Sequence, residues 1–353
     1  VNWRLTDAYD EYGDFSEDDV RIRPPRKGSK PRTKQRPTHD DAVTGFVVTV
    51  DRGRYTCVLE HDEDVYVTAA TARELGRGAV VVGDRVALVG DVSGEPGSLA
   101  RIVRVAERET LLRRSADDTD QVERIIVANA DQLCVVVAAI NPEPRPRLID
   151  RYLIAAYDAG IEPILVITKT DLHPADELRA LVEPLGVPVF TSAINEEPSD
   201  ELLDALAGHT TVMVGHSGVG KSTLVNALVP DADRATGHVN AVTGRGRHTS
   251  SSSLALPLPE GGWIIDTPGV RSFGLGHVDA NAITDAFPAI ANVVDECPRG
   301  CTHRASSPDC ELDAAIAAGD LDALSTMRVH SIRRLLDSLA PEPVADAGDS
   351  PSP

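Results

Sequence analysis

The chain has 353 residues, 42% of them hydrophobic, and a formal net charge of −20. At roughly 100–200 residues per domain, this length predicts two or three domains with real cores and excludes wholesale disorder. The charge excludes a uniformly basic nucleic-acid binder, and the longest apolar runs, LCVVVAAI (133–140) and PILVIT (163–168), are too short to span a bilayer.

In chain order, the first 20 residues are acidic and carry no apolar leader, so a cytoplasmic protein with no membrane partner is expected. Residues 21–38 (RIRPPRKGSKPRTKQRPT) hold eight Lys/Arg, no acid and four Pro. They read as an extended arm within a disordered tail (1–40), either plainly solvated or able to follow phosphates. From 41 to 106 five short β-rich runs follow: GFVVTV (45–50), YTCVLE (55–60), DVYVTAA (64–70), DRVALVG (84–90) and ARIVRVA (100–106). Gly and Asp punctuate them, which predicts a small all-β barrel of the OB type, with an SH3-like barrel left open by pattern alone. ERETLLRRS (107–115) reads as a connector.

The period then changes. A buried-type strand (133–140) precedes an amphipathic helix (147–160), strand 163–168, helix 176–186, strand 187–191, helix 199–208, strand 211–215, helix 221–229 and strand 262–267. Alternating strands and helices predict an α/β domain with a mostly parallel sheet over 107–280. A small helical domain (281–340) and a disordered tail (341–353) complete the chain. Of five Cys, Cys297, Cys301 and Cys310 fall with His303 in one short segment. Three thiols and an imidazole at this spacing suit one closed, structural Zn²⁺ site. Cys57 and Cys134 read as core. The last helix carries Arg328, His330, Arg333 and Arg334, as a solvated face or an RNA-facing patch.

Gly215-His216-Ser217-Gly218-Val219-Gly220-Lys221-Ser222 matches G-x-x-x-x-G-K-[ST] between a strand and a helix, and Thr223 completes the nucleotide-binding stretch. Glycines let backbone N–H groups converge on phosphate oxygens, Lys221 reaches the β- and γ-phosphates, and the Ser222 hydroxyl meets Mg²⁺. Asp266-Thr267-Pro268-Gly269 ends an apolar strand. There Asp266 can hold a Mg²⁺-bound water and the Gly269 N–H can sense a γ-phosphate. In the loop GRGRHTSSS (244–252), Thr249 is the candidate second hydroxyl ligand of Mg²⁺. Thr168-Lys169-Thr170-Asp171 follows a strand: Lys169 can lie on a base plane and Asp171 can accept both guanine donors. Ser192 and Ala193 end the next strand and can offer backbone N–H to guanine O6. These are the motifs of a GTP/GDP site in permuted order, base recognition first and phosphate loop second. The rivals are a scaffold that binds GTP without turning it over and an ATPase with an incidental T-K-T-D.

On ANADQ (128–132), TKTD (168–171), TSA (191–193), GHSGVGKSTLVNAL (215–228), GRGRHT (244–249), DTPGVRSFGL (266–275) and CPRGCTH…C (297–310), the chain resembles the ribosome small subunit-dependent GTPase A family. The resemblance implies an OB domain, a circularly permuted P-loop GTPase domain and a C-terminal zinc domain. It also implies the 30S subunit and 16S rRNA as partners of a monomer, and GTP hydrolysis stimulated by that subunit in its late maturation. It points to His248 as the water-positioning residue beside Lys221 and Thr249. Two departures stand out. Thr168 replaces the usual Asn, which removes one side-chain amide from the base site. Val270 stands where Ras-like GTPases carry a catalytic Gln, so unassisted hydrolysis should be slow, on the order of 10⁻⁴–10⁻² s⁻¹.

Overall fold

The computed structural model describes residues 39–75, 78–114, 124–230, 253–267, 275 and 278–339. The predicted arm 21–38, His248, Thr249, Gly269 and Val270 lie outside these residues. No helix among those described is long and apolar enough to cross a membrane.

The five runs after residue 40 form strands β1 (Val43–Asp51), β2 (Arg54–Leu59), β3 (Asp62–Thr71), β4 (Arg85–Gly90) and β5 (Ala100–Val105). β1 pairs with both β2 and β4, β2 with β3, and β4 with β5, all antiparallel, while β3 and β5 run parallel. That cycle is closed, and it is the OB arrangement. Val47, Cys57, Val67, Val86, Leu88 and Ile102 fill its interior. A bulge in β1 between Val47 and Thr49 breaks the alternation. Val47 points into the barrel, and Val48 on the opposite face, also buried, joins the core of the neighbouring domain.

The connector is not featureless. β6 (Leu111–Arg114) pairs antiparallel with β7 (Arg124–Ala128) as a separate ribbon. The barrel is clasped to this ribbon. Fully buried Asp84 accepts two hydrogen bonds from the Arg108 guanidinium (2.7 and 2.8 Å) and one from the Val81 N–H (2.7 Å). Asn129 donates to the Gly83 carbonyl at 2.9 Å. Gly83, at φ +90°, admits no side chain, since a Cβ there would lie 2.0 Å from the Ala128 oxygen.

Beyond β1 the same sheet continues, its order from the far edge inward being β10 (Val189–Ser192), β9 (Glu162–Thr168), β8 (Gln132–Ala138), β11 (Thr210–Val214), β13 (Trp263–Asp266), β12 (Leu254–Pro257). The first five are parallel neighbours, and β12 is antiparallel to β13 and touches β1 at Thr49–Leu254. Every residue of β8 is buried, as a strand covered on both faces must be. Helices α1 (Pro146–Asp158), α2 (Asp176–Val182), α3 (Asp200–Leu206) and α4 (Lys221–Leu228) connect the parallel strands. α2 stops short of the predicted 186 because Pro184 cannot continue it, and a 3₁₀ turn (Glu183–Leu185) follows. α1 starts with Pro146 at its first turn, and Gly160 at φ +66° follows its C-cap.

The C-terminal helices are α5 (Ala280–Asp285), α6 (Pro288–Val294), α7 (Glu311–Ala318) and α8 (Ala323–Ser338). α8 corrects the reading of its arginines as a free face. Arg334 donates to buried Asp150 of α1 (3.1 and 3.3 Å) and to the Leu181 carbonyl (3.0 Å). Arg328 donates to the Pro184 carbonyl (2.8 Å) and sits over the Phe287 ring. Arg333 is buried and donates to Asp313. Arg334 and Arg328 hold the helix onto α1, α2 and the turn after it, Arg333 holds it to α7, and only His330 of the set is exposed.

The clasp makes a stability prediction. Arg108→Ala leaves Asp84 buried without its cation and should destabilise the chain by about 3–5 kcal/mol. Urea unfolding followed by circular dichroism measures this, and a loss below ~1 kcal/mol would show that the pair carries no such weight.

Candidate functional site

In an open parallel sheet, ligands bind at the carboxyl ends of the strands where the order of connection reverses. Here the chain runs outward from β8 to β9 to β10, then returns to β11 on the other side of β8. The crevice therefore opens between β8 and β11, and the phosphate loop leaves β11 directly into it.

The loop's glycines are required by geometry. A Cβ at Gly215 would lie 2.5 Å from the Val136 oxygen of β8, and Gly218 and Gly220 have φ of +83° and +95°. Gly220 is the N-cap of α4, and no side chain caps that helix. Its first-turn amides are thus left for a ligand, and the helix end is a ready anion site. Ser222 and Thr223 are exposed in this first turn, Val219 is buried beneath the loop, and the ring of His216 lies 3.1 Å from the Ser217 carbonyl.

β13 lies beside β11 with Met213 opposite Asp266. The Lys221 ammonium pairs with the Asp266 carboxylate, so the two residues expected at the phosphates and at Mg²⁺ meet. Thr267, to which the motif assigned no role, is buried and donates to the Met213 carbonyl at 2.9 Å. That bond fixes where the strand delivers Asp266.

On the other flank, β9 and β10 end level, with Ser192 opposite Thr168. The Thr170 hydroxyl donates to the Ser192 carbonyl (3.3 Å), and the Asp171 carboxylate accepts from the Ile194 N–H (3.4 Å), just past Ala193. The two base-recognition segments are one surface. Lys169 links that surface to the phosphate loop by donating to the Gly218 carbonyl (2.8 Å) and to the Asn141 carbonyl. Asn141 carried no sequence signal, because a loop residue offering only its backbone oxygen has none.

Against this geometry, the family model for the RsgA GTPase matches residues 105–276. The small ribosomal subunit biogenesis GTPase RsgA of Pseudomonas aeruginosa is 39% identical over 269 residues, covering 74% of this chain and 76% of that protein. The chain belongs to the RsgA GTPase family. The Pseudomonas syringae pv. tomato protein of the same name is 39% identical over 304 residues, 84% of this chain and 85% of its own length. Among solved structures, YjeQ from Thermotoga maritima is similar with a TM-score of 0.62 and 26% identity, over 84% of this chain and 98% of that one. YloQ, described as a circularly permuted GTPase, shares the fold at a TM-score of 0.57. The chain is accordingly a GTPase of ribosome biogenesis, with an OB-type barrel, a permuted P-loop domain and C-terminal helices.

Away from the crevice, the ligand atoms of Cys297, Cys301, His303 and Cys310 lie within 4.8 Å of one another. His303 and Cys310 are buried, and the His303 Nδ1 is a buried polar atom without a hydrogen-bond partner. Burial first, and then Arg333, lowers the imidazole's proton affinity, which keeps it in the neutral form a metal needs. Arg333 donates to the His303 carbonyl (3.2 Å), and its guanidinium lies 3.8 Å from the Cys310 sulfur. The cluster is compatible with a zinc site. Burial, with neighbouring Cys310 and Cys301, pushes the Cys297 thiol up to about 11, so without a cation it is protonated at neutral pH. An incoming ion must displace that proton. Metal affinity should therefore rise with pH and fall on acidification, by about tenfold per pH unit for each proton displaced. Chelator competition between pH 6 and 8 checks this, and a flat profile would contradict thiolate ligation at Cys297.

Proposed function

We propose that the chain binds guanine nucleotide across the β8–β11 crevice and cycles on and off the 30S subunit as it hydrolyses GTP. Asp171 takes the guanine donors, with Lys169, Ser192 and Ala193 around the base. The loop 215–220, Lys221 and Thr223 take the phosphates, and Ser222 and Asp266 hold Mg²⁺. Thr249 as a further Mg²⁺ ligand, Gly269 as the γ-phosphate sensor and His248 as the water-positioning group follow from the family resemblance alone. The observation that carries the reading is the meeting of the two flanks: Lys169 of the base motif bonds the phosphate loop, and Lys221 of that loop bonds Asp266. A ligand entering between Asp171 and Asp266 meets base-selective and phosphate-binding groups in one cleft.

The Lys221–Asp266 pair must open for nucleotide to bind. Phosphate oxygens would replace the carboxylate on Lys221, and the freed Asp266 carboxylate, with Ser222, would hold Mg²⁺, so both charges would remain compensated. Mg²⁺ when bound neutralises charge on the phosphates. One Zn²⁺ in the Cys₃His cluster is a structural ion that holds the segment between α6 and α7 in shape.

For partners, the relatives' name points to the small ribosomal subunit, and 16S rRNA is the surface it offers. The barrel supports this through exposed Arg52 and Arg54 at the β1–β2 turn and Arg101 and Arg104 on β5. OB barrels bind nucleic acid around the β1–β2 loop and neighbouring strands. With Arg328, Arg333 and Arg334 engaged inside the molecule, the barrel supplies this cationic surface better than α8 does. The protein acts as a cytoplasmic monomer in this reading.

The test is GTP turnover with and without purified 30S subunits. Turnover should be slow alone and rise at least about tenfold with the subunit, as for GTPases completed by a partner. Equal rates in both would remove subunit stimulation from the account.

A further inference from the structure

Strand β1 serves two domains. Its first half, from Val43 to Phe46, pairs with β4 and helps to close the barrel, while Thr49, further along the same strand, pairs with Leu254 of β12. The pairing continues inward in register. Leu254 lies opposite Asp266 of β13, and Asp266 lies opposite Met213 of β11. Thr49 of the barrel and Asp266 of the nucleotide site therefore stand on one rung of the sheet, two strand spacings or about 10 Å apart.

Two side chains of β1 tie it to this flank. Thr49 is buried, and its hydroxyl donates to the Ser253 carbonyl (3.3 Å), directly before β12. A valine would fill the same space, so what the hydroxyl adds is a hold on the start of β12. The Phe46 ring stacks on that of Trp263, with centroids 4.8 Å apart. Trp263 is the first residue of β13, and its N–H donates to the His209 carbonyl (2.7 Å). That approach leaves no room for a side chain at the preceding residue, since a Cβ at Gly262 would lie 2.4 Å from the same carbonyl. β13 is fixed at its start between the Phe46 ring and His209, and just past its end by the Thr267 hydroxyl on Met213. Asp266 sits between these holds. Close-packed interiors transmit a displacement and do not absorb it, so the place of the Asp266 carboxylate follows from where β1 sets β12 and Trp263.

We propose that Thr49 and Phe46 of the barrel are positioning residues for the Mg²⁺ flank of the nucleotide site, acting on Asp266 through β12 and β13. This rests on the guanine-nucleotide reading above, in which Asp266 helps to hold Mg²⁺. The barrel is then part of the frame of that site. The base flank, β9 and β10, lies on the far side of β8 and is outside its reach.

Thr49→Val removes the hydroxyl and keeps the shape. A non-hydrolysable GTP analogue is titrated onto the full chain over a range of Mg²⁺ concentrations, and again in EDTA. In the variant the Mg²⁺ concentration that gives half of the tightening should rise about fivefold, as expected for losing one hydrogen bond, while affinity in EDTA should change by less than about twofold. Thr49→Ser keeps the hydroxyl and should match the unaltered chain. Phe46→Leu loses the stack and should raise the Mg²⁺ midpoint in the same direction. A merely structural role would lower thermal stability and leave that midpoint in place. Thermal unfolding establishes that each variant is folded, and if the Val variant is not, Phe46→Leu decides the outcome. An unchanged Mg²⁺ midpoint in the folded variants, or an equal loss of affinity in EDTA, would overturn the proposal. Asp266→Asn is the reference and should raise the midpoint further than either barrel variant. If it leaves the midpoint unmoved, the assignment of Asp266 to Mg²⁺ fails, and not the part played by the barrel.

Discussion

The structure depends on strand adjacency in one parallel sheet. β9 and β11 lie on either side of β8, so their carboxyl ends finish beside the same crevice whatever order the chain visits them in. Hydrogen-bonded neighbours in a sheet are about 4.8 Å apart, which puts the ends of β9 and β11 within reach of one small molecule. That spacing lets a side chain from the base motif touch the phosphate loop. The permuted order of motifs therefore costs the site nothing, because a site is defined by positions in space and not by succession along the chain.

The permutation does change what is attached to the site. The barrel enters through β6, β7 and the Asp84–Arg108 clasp, directly ahead of β8. The C-terminal helices follow the Asp266 strand and fold back onto α1 and α2, where Arg334 reaches Asp150 and Arg328 reaches Pro184. α2 itself begins just after the T-K-T-D motif. The zinc-type cluster is tied to the same long helix through Arg333. The T-K-T-D flank of the crevice is thus joined to the C-terminal helices by packed contacts through α2 and the turn after it.

Much of this was legible in the residues, for physical reasons. β8 is uniformly apolar because both its faces are covered, and β4 and β5 of the barrel alternate because only one face is. The phosphate loop was legible because its glycines answer to backbone contacts, as at Gly215 against Val136. The β6–β7 ribbon was not, since ERETLLRRS is charged and, among the described side chains of β6, only Leu112 is deeply buried. β12 was missed because four residues ending in Pro257 give too short a pattern. The arginines of α8 looked like a solvated or RNA-facing stripe because their partners, Asp150, Leu181 and Pro184, lie far away in the chain. Burial of a charge is decided by its partner, and a local pattern does not contain the partner.

The central claim is that Asp171 and Lys221 grip opposite ends of one molecule. A crystal structure of the chain with Mg²⁺ and a non-hydrolysable GTP analogue tests it most directly. The account predicts the Asp171 carboxylate on the guanine N1 and N2 edge, and Lys221 released from Asp266 onto the phosphates. A nucleotide held by Lys221 with its base directed away from Asp171, or Lys221 still paired with Asp266 in the occupied site, would contradict it.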